Sequence, residues 1–149
     1  MVEPRHLRTG LGVFALIATA AIAQKPETYK VRLSPVSMDA AMKVNIAGSG
    51  SAAATLTGSK LGVTGTFDGL LSPATSARIH RGSATGVRGP VILDLKISPA
   101  ELGTGSSGTV SGTFDLTPDQ VDDVRKGRFY IEIASQKAPD GNLWGWLLP

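Results

Sequence analysis

The residues that could do chemistry in this chain are few, and their scarcity decides much. There is no cysteine, so a disulfide framework, a thiolate nucleophile, an iron–sulfur cluster and a Cys-ligated zinc or haem are all excluded. There are two histidines, His6 and His80. Copper or zinc needs about three nitrogen or sulfur donors, so His80 is at most a weak metal candidate, and no cofactor is expected. A Ser-His-Asp arrangement would have to use His80, and no Gly-x-Ser-x-Gly elbow accompanies it. Gly48-Ser49-Gly50-Ser51 and the glycine-rich stretch 103–108 lack the Gly-Lys-Ser/Thr ending of a phosphate loop. Asp122 and Asp123 are adjacent on an expected helix and point about 100° apart, which does not make a glycosidase-type acid/base pair. The chemistry points away from an enzyme.

Two further groups suit binding. In the last apolar segment Trp144 and Trp146 alternate with Leu143, Gly145 and Leu147, so both indoles share one strand face. Two neighbouring exposed indoles would form an apolar patch of the kind that marks a contact surface, with Arg78, Arg81 and Arg88 as its polar rim; the alternative is that both are core or lie under a loop. The net charge of +3 and the isoelectric point near 9.5 do not imply a nucleic-acid partner. The Lys and Arg residues are scattered, and aromatics are only 5% of the chain, too few for a base-stacking surface.

The elements that must position these groups begin after an export signal. Arg5, His6 and Arg8 form a positive segment, Leu11 to Ile22 is apolar, and Ala21-Ile22-Ala23 is a small-x-small cleavage site. Residues 1–23 are therefore expected to be a signal peptide and 24–149 the mature domain, with a periplasmic or extracellular location. If retained, the segment would tether the domain to a membrane. Its removal takes His6 with it.

From there the apolar period is two. Tyr29-Val31-Leu33, Met42-Val44-Ile46, Ala52 to Thr57, Val63 to Asp68, Val91 to Ile97, Val110 to Phe114, Ile131-Ile133 and Leu143 to Leu148 read as about eight short strands. Turn chemistry separates them at Gly48-Ser49-Gly50, Thr57-Gly58-Ser59, Gly86 to Pro90, and Pro139-Asp140-Gly141. The pattern is that of an antiparallel β-sandwich or barrel. One short helix is expected near 118–126: Thr117 can cap it, Pro118 takes N1, Gln120 takes N3 and Gly127 ends it. It reads as a strand connection. Val63-Thr-Gly-Thr-Phe-Asp68 recurs as Val110-Ser-Gly-Thr-Phe-Asp115, which suggests two similar units facing each other across the core with Phe67 and Phe114 inward.

The motifs resemble those of the CHRD domain family. Ala77-Arg78-Ile79-His80-Arg81-Gly82, followed by Gly86, Gly89-Pro90-Val91 and Leu93, is similar to that family's A-H-I-H-x-G … G-P-V … L signature. Leu116-Thr117, Gln120, Gly127, Tyr130-Ile131-Glu132-Ile133 and Gly141 to Leu147 follow its later motifs in order, so the likeness runs from about Tyr29 to Leu147. It implies an all-β, Greek-key β-sandwich, immunoglobulin-like or Cu/Zn-superoxide-dismutase-like, usually outside the cytoplasm and without an established general enzymatic activity. The departures matter: Arg78 and Ala134 stand where the family pattern has histidines, leaving His80. An Arg78–Glu132 cross-strand ion pair is the expected replacement. The reading is an exported, non-enzymatic binding or structural module, an accessory subunit in a cell-envelope assembly with a protein partner. The alternative is a superoxide-dismutase-like or copper-binding metalloprotein using His80.

Overall fold

A computed structural model describes residues 23–99 and 105–149; the expected signal peptide, up to its last residue, lies outside them. Eight strands form: β1 (Glu27–Pro35), β2 (Ser49–Thr57), β3 (Lys60–Asp68), β4 (Ala74–Arg81), β5 (Val91–Pro99), β6 (Gly108–Asp115), β7 (Phe129–Ser135) and β8 (Ala138–Trp146), with one helix, α1 (Pro118–Arg125). All pairings are antiparallel, in the order β1-β2-β3-β6-β5-β4-β7-β8 with β8 returning to β1. The chain crosses the sheet twice, from β3 to β4 and from β6 through α1 to β7.

This closed barrel corrects the expected Greek-key β-sandwich, whether immunoglobulin-like or superoxide-dismutase-like. Two strands change partners part-way along. β1 pairs with β2 from Glu27 to Leu33 and with β8 at Ser34 and Pro35. β5 pairs with β4 up to Leu95 and with β6 from Lys96 to Pro99. A sandwich would leave four strand edges to be shielded, whereas these shared strands join the two sheets. Alternating polarity could not reveal this, because both architectures bury one face of every strand. At the β1–β8 seam the bare Gly145 allows contact: a Cβ there would stand 2.5 Å from the Arg32 carbonyl oxygen.

The inward face is continuous. Leu33, Leu56, Leu61, Ile79, Ile131, Ile133, Leu143 and Leu147 are fully buried, and Phe114 packs against the same cluster. Three local expectations change. Met42–Val44 is a 3₁₀ turn rather than a strand, with Val44 72% exposed and unable to serve a core face. Pro139-Asp140-Gly141 lies within β8, and the β7–β8 turn is at Gln136-Lys137. The repeated hexapeptides do not face each other across the core; they are neighbours on β3 and β6, paired Thr64 to Ser111. α1 forms as expected, with Thr117 and Gln120 closing a reciprocal capping box.

Candidate functional site

On the barrel's outer surface, register builds two rows. His80 of β4, Tyr130 of β7 and Trp146 of β8 lie side by side; Arg78, Glu132 and Trp144 form the next row. Ala77, Ile79, Ile131 and Ile133 point the other way, into the core, so alternation alone puts the functional side chains outside. β7 is nonetheless buried on both faces. The β4–β5 loop, residues 82–90, folds down over it, and Val36, Ile46 and Ala138 form a second apolar cluster against Trp144.

The loop is held by specific bonds. Gly82 N–H donates to the Arg128 carbonyl at 2.8 Å, and the Thr85 hydroxyl to the Gly127 carbonyl at 2.8 Å. The Tyr130 hydroxyl accepts from Gly89 N–H at 3.0 Å and donates to the Gly89 carbonyl at 3.2 Å. His80 Nδ1 lies 2.9 Å from the same carbonyl, which can only accept, so Nδ1 carries the proton. Gly89 must be bare, because a Cβ would collide with the Arg81 carbonyl oxygen. Beneath the loop the rings pack closely: His80 stacks on Tyr130 with centroids 4.9 Å apart, and Tyr130 meets Trp146 at 4.5 Å and Trp144 edge-on at 5.8 Å.

Arg88 reaches in from this loop. Its Nη1 lies 3.0 Å from Glu132 Oε2 and donates to the Asp140 carbonyl at 3.0 Å, while its guanidinium sits 5.4 Å from the Trp144 ring centre. The Glu132 side chain is 10% exposed and that of Arg88 47%. The pair is close enough for charge attraction but outside hydrogen-bond geometry, so Oε2 makes no hydrogen bond. Burial pushes the Glu132 carboxyl above its ordinary range; Arg88 and His80 pull it back, and Asp140 raises it further. Burial also raises the Tyr130 hydroxyl.

The expected site residues fall into distinct places. Arg78 stands opposite Glu132 in register, but its guanidinium pairs with exposed Asp94 at 3.3 Å; the expected Arg78–Glu132 pair is replaced by Arg88–Glu132. Arg88 descends from the loop over the carboxylate and onto Trp144, while Arg78 turns away to Asp94 on the other neighbouring strand. Arg81 Nε stands 2.7 Å from Oδ2 of Asp123, 4% exposed, an ion pair whose oxygen, like Glu132 Oε2, makes no hydrogen bond, while Arg128 donates to Asp123 Oδ1 at 3.1 Å. That triad anchors α1 to the end of β4 and gives the helix more than a connecting role. Trp144 and Trp146 are neither open patch nor core: both are half-buried, stacked with Tyr130 beneath the β4–β5 loop, which is the arrangement under a loop named as the alternative. His80 Nε2 faces Glu132 Oε1 at 3.8 Å, and no group of three His, Asp or Glu residues suited to a metal occurs among the described residues. Tyr130, Gly89 and Asp140 were missed as site residues; the Gly89-Pro90 turn beside Arg88 was the available signal.

The model of the CHRD domain matches residues 31–147, which include both rows and the loop over them. The chain belongs to the CHRD domain family. Comparison with curated proteins and with solved structures finds no match. No helix among the described residues of this CHRD domain is long and apolar enough to cross a membrane.

Proposed function

We propose that this CHRD domain is an exported, non-enzymatic binding module, an accessory subunit of a cell-envelope assembly that docks a protein partner on the β4–β5 loop and the tryptophan rim beside it. The observation that carries the reading is the pairing of an ordered loop with uncovered apolar groups. Val87 on the loop is 47% exposed, and Leu148, beyond the end of β8, is 48% exposed. Gly127, which accepts the Thr85 hydroxyl bond, lies against Leu148, so loop and chain end adjoin. Half-buried Trp144 and Trp146 supply rigid apolar area, and Arg88 and Arg81 supply the polar margin.

The test uses two half-exposed positions outside the buried core clusters. Val87→Asp with Leu148→Asp should leave the melting temperature unchanged and remove the proteins that the wild type captures from mildly solubilised native envelope, read by mass spectrometry. Identical capture by wild type and variant would sink the proposal. Sequencing the N-terminus of the native protein tests export, with a mature chain starting near Gln24 expected.

A further inference from the structure

We infer that the slot between Glu132, Asp140 and Trp144 is a guanidinium-binding site, that Arg88 is its tethered occupant, and that its exchangeable ligand is an arginine side chain of a partner protein. The wall and the occupant come from different kinds of structure. Glu132 stands on β7 while Asp140 and Trp144 stand on β8, two paired strands of the barrel; Arg88 comes from a loop. The wall has the three components that a planar cation uses: a carboxylate, a backbone carbonyl in reach of the same nitrogen, and an aromatic face. A Cβ on Gly141 would stand 2.9 to 3.2 Å from the Glu132 carboxyl atoms, so the bare glycine lets β8 pass close beside the carboxylate, and the Arg88 side chain over it is half exposed.

The occupant fits imperfectly. Glu132 Oε2 is buried and makes no hydrogen bond although Arg88 Nη1 is 3.0 Å away, because the N–H is not directed at it. A guanidinium free of the loop's constraint can turn two parallel N–H groups to the carboxylate, which Arg88 does not do. Tethering gives Arg88 a high effective concentration, so a competitor must bring further contacts, as an arginine on a docked surface would. The choice of a protein's arginine as competitor rests on the docking reading above; the existence of the slot does not.

Ethylguanidinium chloride is the probe, titrated into purified Arg88→Ala protein and followed by tryptophan fluorescence and thermal melting. Expected is a saturable fluorescence change and a raised melting temperature that equal concentrations of ethylammonium or sodium chloride do not give, with no such change in the wild type, whose slot is filled. Adding Glu132→Gln to Arg88→Ala should weaken the apparent affinity by about tenfold or more. If Arg88→Ala does not fold, Arg88→Met keeps the apolar stem of the side chain over Trp144 but leaves Glu132 without a cation, and the same contrast between probes is expected. A response no different from that to sodium chloride, or one equally strong in the wild type, overturns the site. Because no partner is present, the slot can fail while the loop and Leu148 still prove to be the docking surface, and the reverse.

Discussion

Among the described residues, two glutamate–arginine pairs stand on this barrel, built alike and behaving oppositely. Glu27 on β1 is held by Arg125 at the end of α1 with N–H···O distances of 2.7 to 3.2 Å, and Tyr29, two residues on, donates its hydroxyl to the same carboxylate. Glu132 on β7 is met by Arg88, with Tyr130 two residues before it in the same cluster. By geometry the first pair is the better bonded. Yet its hydrogen bonds from Arg125 and Tyr29 lower the Glu27 carboxyl in a solvated setting, whereas burial raises Glu132 despite its arginine. Desolvation outweighs a nearby cation when the carboxylate is covered and the N–H is misdirected. The pair that fastens the loop is the one whose charge is costly to keep.

Removing each arginine should separate the two most widely. Arg88→Ala leaves a buried carboxylate facing Asp140 and should cost about 2 kcal/mol at pH 7, less than a fully buried pair because Arg88 is half exposed; urea unfolding reads it, and a cost no larger than that of Arg125→Ala would erase the contrast. Next, Tyr130→Phe removes the hydroxyl that both accepts from and donates to Gly89 and should cost about 1 kcal/mol, with faster amide exchange at Gly89. Unchanged exchange there would mean that the hydroxyl does not fasten the loop.

The pH response comes third, and its sign differs between the pairs. Glu132 has a folded pKa above its usual 4.5, so the folded state takes up the proton first: its contribution grows as pH falls through that raised value towards 4.5, and is lost as pH rises through it. Glu27 is lowered from 4.5, so its contribution is full above 4.5 and is lost as pH falls through the lower folded value. Urea melts from pH 7 to pH 3 should show Glu132→Gln flattening the upper part of the curve and Glu27→Gln the acid part; flattening of the same part by both would break the comparison. The smallest effect is Arg125→Ala at neutral pH, where an exposed pair should leave the urea midpoint nearly unmoved.

What could be read from the chain was whatever the local pattern determines. Period two located the strands from Tyr29, Ala52, Val63, Val91, Val110, Ile131 and Leu143, and the Thr117–Gln120 box located α1, because both are properties of adjacent residues. The same rule misread Met42-Val44-Ile46, where alternation occurs in a segment that buries Ile46 in a side cluster and exposes Val44. Barrel closure was hidden because it depends on where β1 and β5 change partners, which alters no side chain's facing. Glu132 was recognised as paired, but its partner lies on a loop whose path is set by Gly89 and Tyr130. Register favoured Arg78, and register does not see what descends from above.

The seam where β8 meets β1 carries a further consequence. Its ladder has two residue pairs, continued by the bond from Val36 N–H to the Asn142 carbonyl, with Gly145 allowing the β1 backbone to lie against it. In an open sheet fraying begins at one outer strand and is confined there; in a ring, parting the shortest ladder creates two unsatisfied edges at once. The shortest ladder is thus the one that keeps the ring closed, and a side chain at Gly145 would press on the Arg32 carbonyl at that seam.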